Sequence, residues 1–418
     1  MAISALKSFL SRLSTKPATI VLLNDCSDQA NYGALALVDG LKQIIAGAVP
    51  THRLVAIPSH WVMDASFGFA SFWNGGRDLV QPQALWPEVA DQFEIVAEEW
   101  LAGRGGPGAQ DFLARLSGAD LVILNGEGSL YRTNLSAIRE LFLAWFARTR
   151  LNIPTLFLNG LVHLTLVVPV LPAMVRKTFA VLDGVAVREP RSLRNLSEYA
   201  PDIVARQIPD SAYSLSPDHG GTPPSVADLA GRLDGQDYFC FDPGAMPIDH
   251  KYGQRSAVYQ LIAQLKRTGL QAVIVASSTM EGYDEQLARD TGSPYYPLQP
   301  SYRDLMALLA GAKFQVTGRY HNPILGAIVG CPSISIATTS HKNHGTCEVL
   351  GGLIGMPFDG TDLRACTPAM LERANDYLKN QATIRPSLQA AAAKLREQTK
   401  EMGSMIRGAL QQELADPA

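Results

Sequence analysis

An α/β fold with two parallel-sheet domains and C-terminal helices is predicted by three observations. Short apolar runs alternate with longer segments of helical period, the pattern of parallel βα units. Midway, the stretch SPDHGGTPPSVADLAGRLDG concentrates Gly and Pro, the composition of an interdomain connection. A length of 418 residues, 47% of them apolar, is enough for more than one buried core without any staple.

The elements follow in order. Residues 1–16 set Lys7, Arg12 and Lys16 among Leu6, Phe9, Leu10 and Leu13, a helix-period pattern that lacks the continuous apolar core of a signal peptide and predicts a surface or docking helix. Apolar runs at 18–23, 53–57, 120–124, 154–158 and 184–187 predict the strands of a first domain, 1–215. A linker over 216–236 comes next. Runs at 238–241, 272–276, 314–317 and 333–337 predict a second domain, 237–367. From 368 to 418 Ala, Leu, Glu, Gln, Lys and Arg dominate, which predicts one or two long helices with a break near Pro386. The most apolar stretch, 161–175, is short of the roughly 20 residues that a spanning helix needs and carries His163, Pro169 and Pro172. It reads as a core element or a contact with one membrane face.

Composition excludes several classes. With 36 Lys+Arg against 39 Asp+Glu, the chain lacks the basic excess of a nucleic-acid binder. Its 18% charged residues also exclude a disordered chain. Five scattered cysteines without a CxxC pair point to reduced thiols, no zinc ribbon and a cytoplasmic location, at most at the inner face of a membrane. The string His341, His344, Cys347 has imperfect helical spacing, and no metal or other cofactor is expected.

In open α/β sheets ligands bind beyond the carboxyl ends of the strands, so the residues after each apolar run are candidates. After the first run come Asp25, Asp28 and Asn31-Tyr32-Gly33, where the two aspartates either cap the next helix or act as bases. After the third come Gly126-Glu127-Gly128-Ser129, either a tight turn or a loop that aims amides at an anion; no GxGxxG fingerprint is present. Arg188 and Arg191 follow the fifth run. In the second domain Arg319 and His321 precede Pro323, which suits the first turn of a helix. Lys342 follows the next strand, within reach of the same pocket. His163 reads as a core histidine.

In combination these motifs resemble a family. Asn31-Tyr32-Gly33, Gly126-Glu127-Gly128-Ser129, V-R-E-P-R-S at 187–192, P-D-S-A-Y at 209–213, and G-R-Y-H-N-P-I-L-G-A-I-V-G-C-P-S-I-S-I followed by Lys342 are similar to the polysaccharide pyruvyl transferases, over residues 18–355. The resemblance implies two Rossmann-like domains facing a cleft, as in GT-B glycosyltransferases, with the acceptor side in the first and the donor side in the second. It implies transfer of pyruvate from phosphoenolpyruvate to a sugar hydroxyl pair as a ketal, with a sugar or lipid-linked oligosaccharide as acceptor and no nucleic acid as partner. Membrane contact would then be peripheral.

On that reading His321 is the general acid, and Arg188 and Glu127 complete the catalytic set. Arg319, Lys342, Asn31, Gly33, Gly126, Gly128, Ser129 and Asp25 contact substrate. The sequence departs from the family at Ala34, where many members carry Asp, and at Glu127, where many carry Gly. Two further readings are a GT-B glycosyltransferase that uses a nucleotide sugar, and a non-catalytic member of a polysaccharide-assembly complex.

Overall fold

The computed structural model describes residues 16–62, 83–128, 130, 135–165, 169–244, 254–276, 281–337 and 340–415. The helix expected within 1–16 lies almost wholly outside them.

The first sheet contains β1 (Ala18–Asp25), β2 (His52–Pro58), β3 (Leu121–Asn125), β4 (Thr155–Gly160), β5 (Gly184–Val187) and β6 (Arg206–Gln207), in the spatial order β2-β1-β3-β4-β5-β6. The second contains β7 (Tyr238–Asp242), β8 (Gln271–Val275), β9 (Tyr295–Tyr296), β10 (Gln315–Thr317), β11 (Ser333–Ala337) and β12 (Phe358–Asp359), in the order β12-β11-β10-β7-β8-β9. Every pairing is parallel, so all the strands of a sheet end on the same side. The central strands are buried along their whole length because helices cover both faces, which is why they read as unbroken apolar runs. Edge strands β6, β9 and β12 are two residues each, too short to leave such a run.

Helices fill the layers. One face of the first sheet packs Phe93, Trp100, Phe112, Phe142 and Phe146, with Trp86 wedged edge-on against Trp100 at 5.3 Å between ring centroids. The described part of the apolar stretch 161–175 joins this core through Val162, Leu164, Leu171, Met174 and Val175. Residues 216–236 carry a helix, Pro224–Leu233, whose Leu229 and Leu233 bury against the second domain.

Two helices end the chain, Leu363–Lys379 and Gln381–Ala415. The break between them falls at Asn380, while Pro386 lies inside the second helix. That helix has 35 residues, about 50 Å at 1.5 Å per residue, and it serves both domains. Leu388, Ala392 and Leu395 pack on the second, and Met402, Ile406 and Ala409 return to helix Tyr32–Ala48 and the first sheet. These six positions step by four, three, seven, four and three, whole helical turns, so one apolar stripe straps the two sheets together. Among the described residues no helix is long and apolar enough to cross a membrane.

Candidate active site

The carboxyl ends of the two sheets meet, and the site is built there from short side chains outward. The last residue but one is Asn24 in β1 and Asn159 in β4, both left-handed with φ of 58° and 59°, a conformation asparagine tolerates better than most residues. Asn24 Nδ2 donates to the carbonyls of Asn125 (2.8 Å) and Glu127 (3.1 Å), and Asn125 Nδ2 donates back to the Asn24 carbonyl. Asn159 Nδ2 donates to Ser211 Oγ at 2.8 Å, and the Ser211 amide donates to Asn159 Oδ1 at 3.0 Å. These buried amides fix the backbone that carries Glu127 and Asp210.

Three charged groups converge on that frame. The Arg188 guanidinium, only 1% exposed, donates to Glu127 and to Asp210 Oδ2 (3.1 Å) and lies 4.1 Å above the Tyr320 ring. Asp210 also caps the turn Ser211–Ser214 by accepting from the Ala212 amide. From the second domain His321 brings its Nε2 to 3.5 Å from Asp210 Oδ2. Its ring sits against helix Tyr32–Ala48 so closely that a Cβ at Gly33 would lie 2.1 Å from Nδ1. Gly33 is thus the clearance that lets the imidazole reach Asp210.

Electrostatics follow from burial opposed by pairing. Burial pushes the Glu127 carboxyl up, but Arg188, His321 and Lys342 together hold it below the usual carboxylate range. For Asp210 burial again works upward and is outweighed by the neighbouring His321 imidazole and by Arg188. Burial alone would lower Arg188; Glu127 and Asp210 instead keep it above its ordinary value. Beside them the Cys26 thiol is pushed well up, first by burial and then by Glu127, which leaves it neutral and no nucleophile.

The second domain supplies the open side. Arg319 and His321 lead into helix Asn322–Val329, anchored by Asn322 Nδ2 donating to Asp242 Oδ2 at 2.8 Å. Lys342 opens helix Lys342–Val349, and Asn343 ties that helix to the ends of β10 and β11 through the carbonyls of Gly318 and Ile336. Arg319 and Lys342 are both partly exposed.

Several sequence expectations change. Arg188 is not an open cation at a strand end, because its charge is already shared by two carboxylates. Asn31 caps helix Tyr32–Ala48, accepting from the Gly33 amide at 2.9 Å, so neither aspartate does. Asp25 is buried and paired with Lys42 at 2.7 Å, while Asp28 pairs with His60. The Gly126 amide donates to the Leu158 carbonyl and is not aimed at an anion. Gly128 makes a turn at φ 70°, and Ser129 lies outside the described residues. His163 is only partly buried and its ring lies 4.7 Å from that of His341, tilted by 47°. The His341, His344, Cys347 string is split, since His341 meets Glu189 and Cys347 is in the core with its thiol pushed up by burial to about 11.

Asp210, Glu189 and Tyr320 received no role from the sequence, although all lie inside motifs quoted above. Each sits next to a stronger signal, and only the fold shows which of two neighbours turns into the cleft. The buried asparagines gave no signal beyond their place at strand ends.

The sequence profile described as polysaccharide pyruvyl transferase matches residues 31–341, a span that holds Glu127, Arg188, Asp210 and His321. The chain belongs to the polysaccharide pyruvyl transferase family. No curated protein matches the sequence. Among solved structures it resembles Anabaena Alr3699/HepE in complex with UDP, at 12% identity and TM-score 0.56 over 94% of this chain and 100% of that one. UDP-GlcNAc 2-epimerase from Neisseria meningitidis bound to UDP-GlcNAc gives 12% and 0.54 over 91% and 98%. The trehalose 6-phosphate synthase of Burkholderia multivorans gives 13% and 0.51 over 96% and 99%. At such identities the likeness is one of fold, two Rossmann-like domains facing a cleft as in GT-B enzymes, and this pyruvyl transferase relative shares it from end to end.

Proposed function

We propose that this family member transfers the pyruvyl group of phosphoenolpyruvate to two hydroxyls of a sugar, forming a ketal and releasing phosphate. The observation that carries the reading is the Asp210–His321 pair at 3.5 Å, an imidazole held by a buried carboxylate between two domains. The donor carries a carboxylate and a phosphate, and Arg319, Lys342 and the N-terminus of helix Asn322–Val329 offer positive potential for both.

His321 gives its proton to C3 of the enol, and C2 becomes electrophilic. One sugar hydroxyl bonds to C2 and its proton returns to the imidazole. The C2–O bond to phosphate then breaks, the second hydroxyl bonds to C2, and its proton leaves with the phosphate. Arg188 holds Glu127 ionised, ready to orient or deprotonate a hydroxyl.

The test is phosphate release from phosphoenolpyruvate with a panel of glycan and glycolipid acceptors. His321→Ala should lower the rate by about 10²–10⁴-fold. A rate within a few-fold of the parent would remove the acid role. A second reading, transfer from a nucleotide sugar, draws on the UDP and UDP-GlcNAc named for two of the structural neighbours. Calorimetric titration separates the two: binding of a nucleotide sugar without phosphoenolpyruvate would favour the second.

A further inference from the structure

Arg188 and Glu189 are consecutive, yet they serve different neighbours. Arg188 faces Glu127, Asp210 and the Tyr320 ring. The Glu189 carboxylate, with no exposed surface, caps helix Pro190–Tyr199 by accepting from the amides of Arg191 and Ser192, both at 2.8 Å, and from Ser192 Oγ. Its remaining partner crosses the cleft: His341 Nε2 lies 3.0 Å from Glu189 Oε1. His341 is the residue immediately before helix Lys342–Val349.

That helix lies directly on the carboxylate, since a Cβ at Gly345 would come within 2.2 Å of Glu189 Oε2. One turn further along, Glu348 takes Arg191 Nε at 2.7 Å and Arg194 at 3.0 Å. The same two helices, one from each domain, are therefore joined at the first turn and again along their length. The His163 ring lies beside that of His341, 4.7 Å between centroids and tilted by 47°.

A wholly buried carboxylate is costly unless every lone pair is answered, and breaking such a pair leaves an uncompensated charge. Glu189 is answered fully only when helix Lys342–Val349 is seated. Lys342 is the first residue of that helix and follows His341 directly, so the seat of the helix sets where the Lys342 cation stands.

We propose that Glu189 and His341 are positioning residues that lock helix Lys342–Val349 onto the first domain and thereby place Lys342 for the donor. Lys342's role rests on the function proposed above; the lock itself does not.

Three variants test it: His341→Ala, His341→Gln and Gly345→Ala. Gln carries an amide N–H that can reach the place of the imidazole Nε2. Expected are an increase of about tenfold or more in KM for phosphoenolpyruvate in His341→Ala with a smaller fall in kcat, partial rescue in His341→Gln, and faster amide hydrogen exchange over 342–349 in His341→Ala and Gly345→Ala. The variants' melting curves show that each is folded. Hydrogen exchange needs no turnover, so it reads the lock even if phosphoenolpyruvate is not the donor. Exchange over 342–349 equal to the parent's in both His341→Ala and Gly345→Ala would overturn the lock. Faster exchange with an unchanged KM would overturn the placement of Lys342.

Discussion

Asp210 with His321 and Glu189 with His341 are built alike, each a carboxylate after a strand of the first sheet meeting an imidazole after a strand of the second. Their surroundings differ. Asp210 shares Arg188 with Glu127, so three charges and an imidazole lie within one cluster. Glu189 is otherwise held by backbone amides and a serine, and its helix contacts run away from the cleft. A carboxylate–imidazole pair is thus suited to moving a proton where further charges respond to it, and to fixing a helix where only neutral donors surround it.

Predictions follow in order of expected effect. Asp210→Ala should separate the pairs most, because it takes the carboxylate from His321 and one of two carboxylates from Arg188; removing one partner of a buried ion pair costs about 3–5 kcal/mol, and phosphate release should fall with it. Chemical denaturation and the phosphate assay read both, and a variant as stable and active as the parent would show that Asp210 organises nothing. Gly33→Ala comes next. Its methyl would meet the His321 ring, whose displacement from Asp210 should depress kcat more than the cost of about 1–3 kcal/mol suggests. An unchanged kcat would mean that the imidazole can act from a shifted position.

Removing the cap with Asn31→Ala should cost about 1 kcal/mol in stability while leaving both pairs intact. A loss of several kcal/mol would reveal a further role for that side chain.

Acid should act on the two regions in sequence. His163 and His344 are held below the ordinary imidazole range by burial first, and then by the charges of His341 and Arg191 respectively. A depressed folded value means that their stabilising contribution is complete above about pH 6.5 and is lost as the pH falls through the folded value. Glu127, Asp210 and Glu189 are also depressed, so their contribution is complete above roughly pH 4 and is lost below it. Protection factors over 342–349, which take out the intrinsic slowing of exchange in acid, should therefore drop as the pH falls below about 6.5, before the network around Arg188 yields. Simultaneous loosening of both would show that the pairs are not independent.

Much of this molecule is legible in its sequence. Apolar runs buried on both faces mark the long central strands, and turn residues mark their ends, because local pattern and burial coincide there. Two-residue strands such as β6 escape, since their place is set by neighbours rather than by their own side chains. His321, Glu127 and Lys342 are visible as chemistry at strand ends. Their partners are not.

What the sequence determined by itself is the parallel α/β class, the family and the set of strand-end residues, all of which depend on near neighbours in the chain. Only the tertiary structure decided that Arg188 is neutralised from within, that Asn31 and neither aspartate caps the following helix, and that Glu189 reaches the other domain. Those outcomes depend on contacts 22 residues apart for Arg188 with Asp210 and 152 apart for Glu189 with His341, and on a burial that makes each unpaired charge costly.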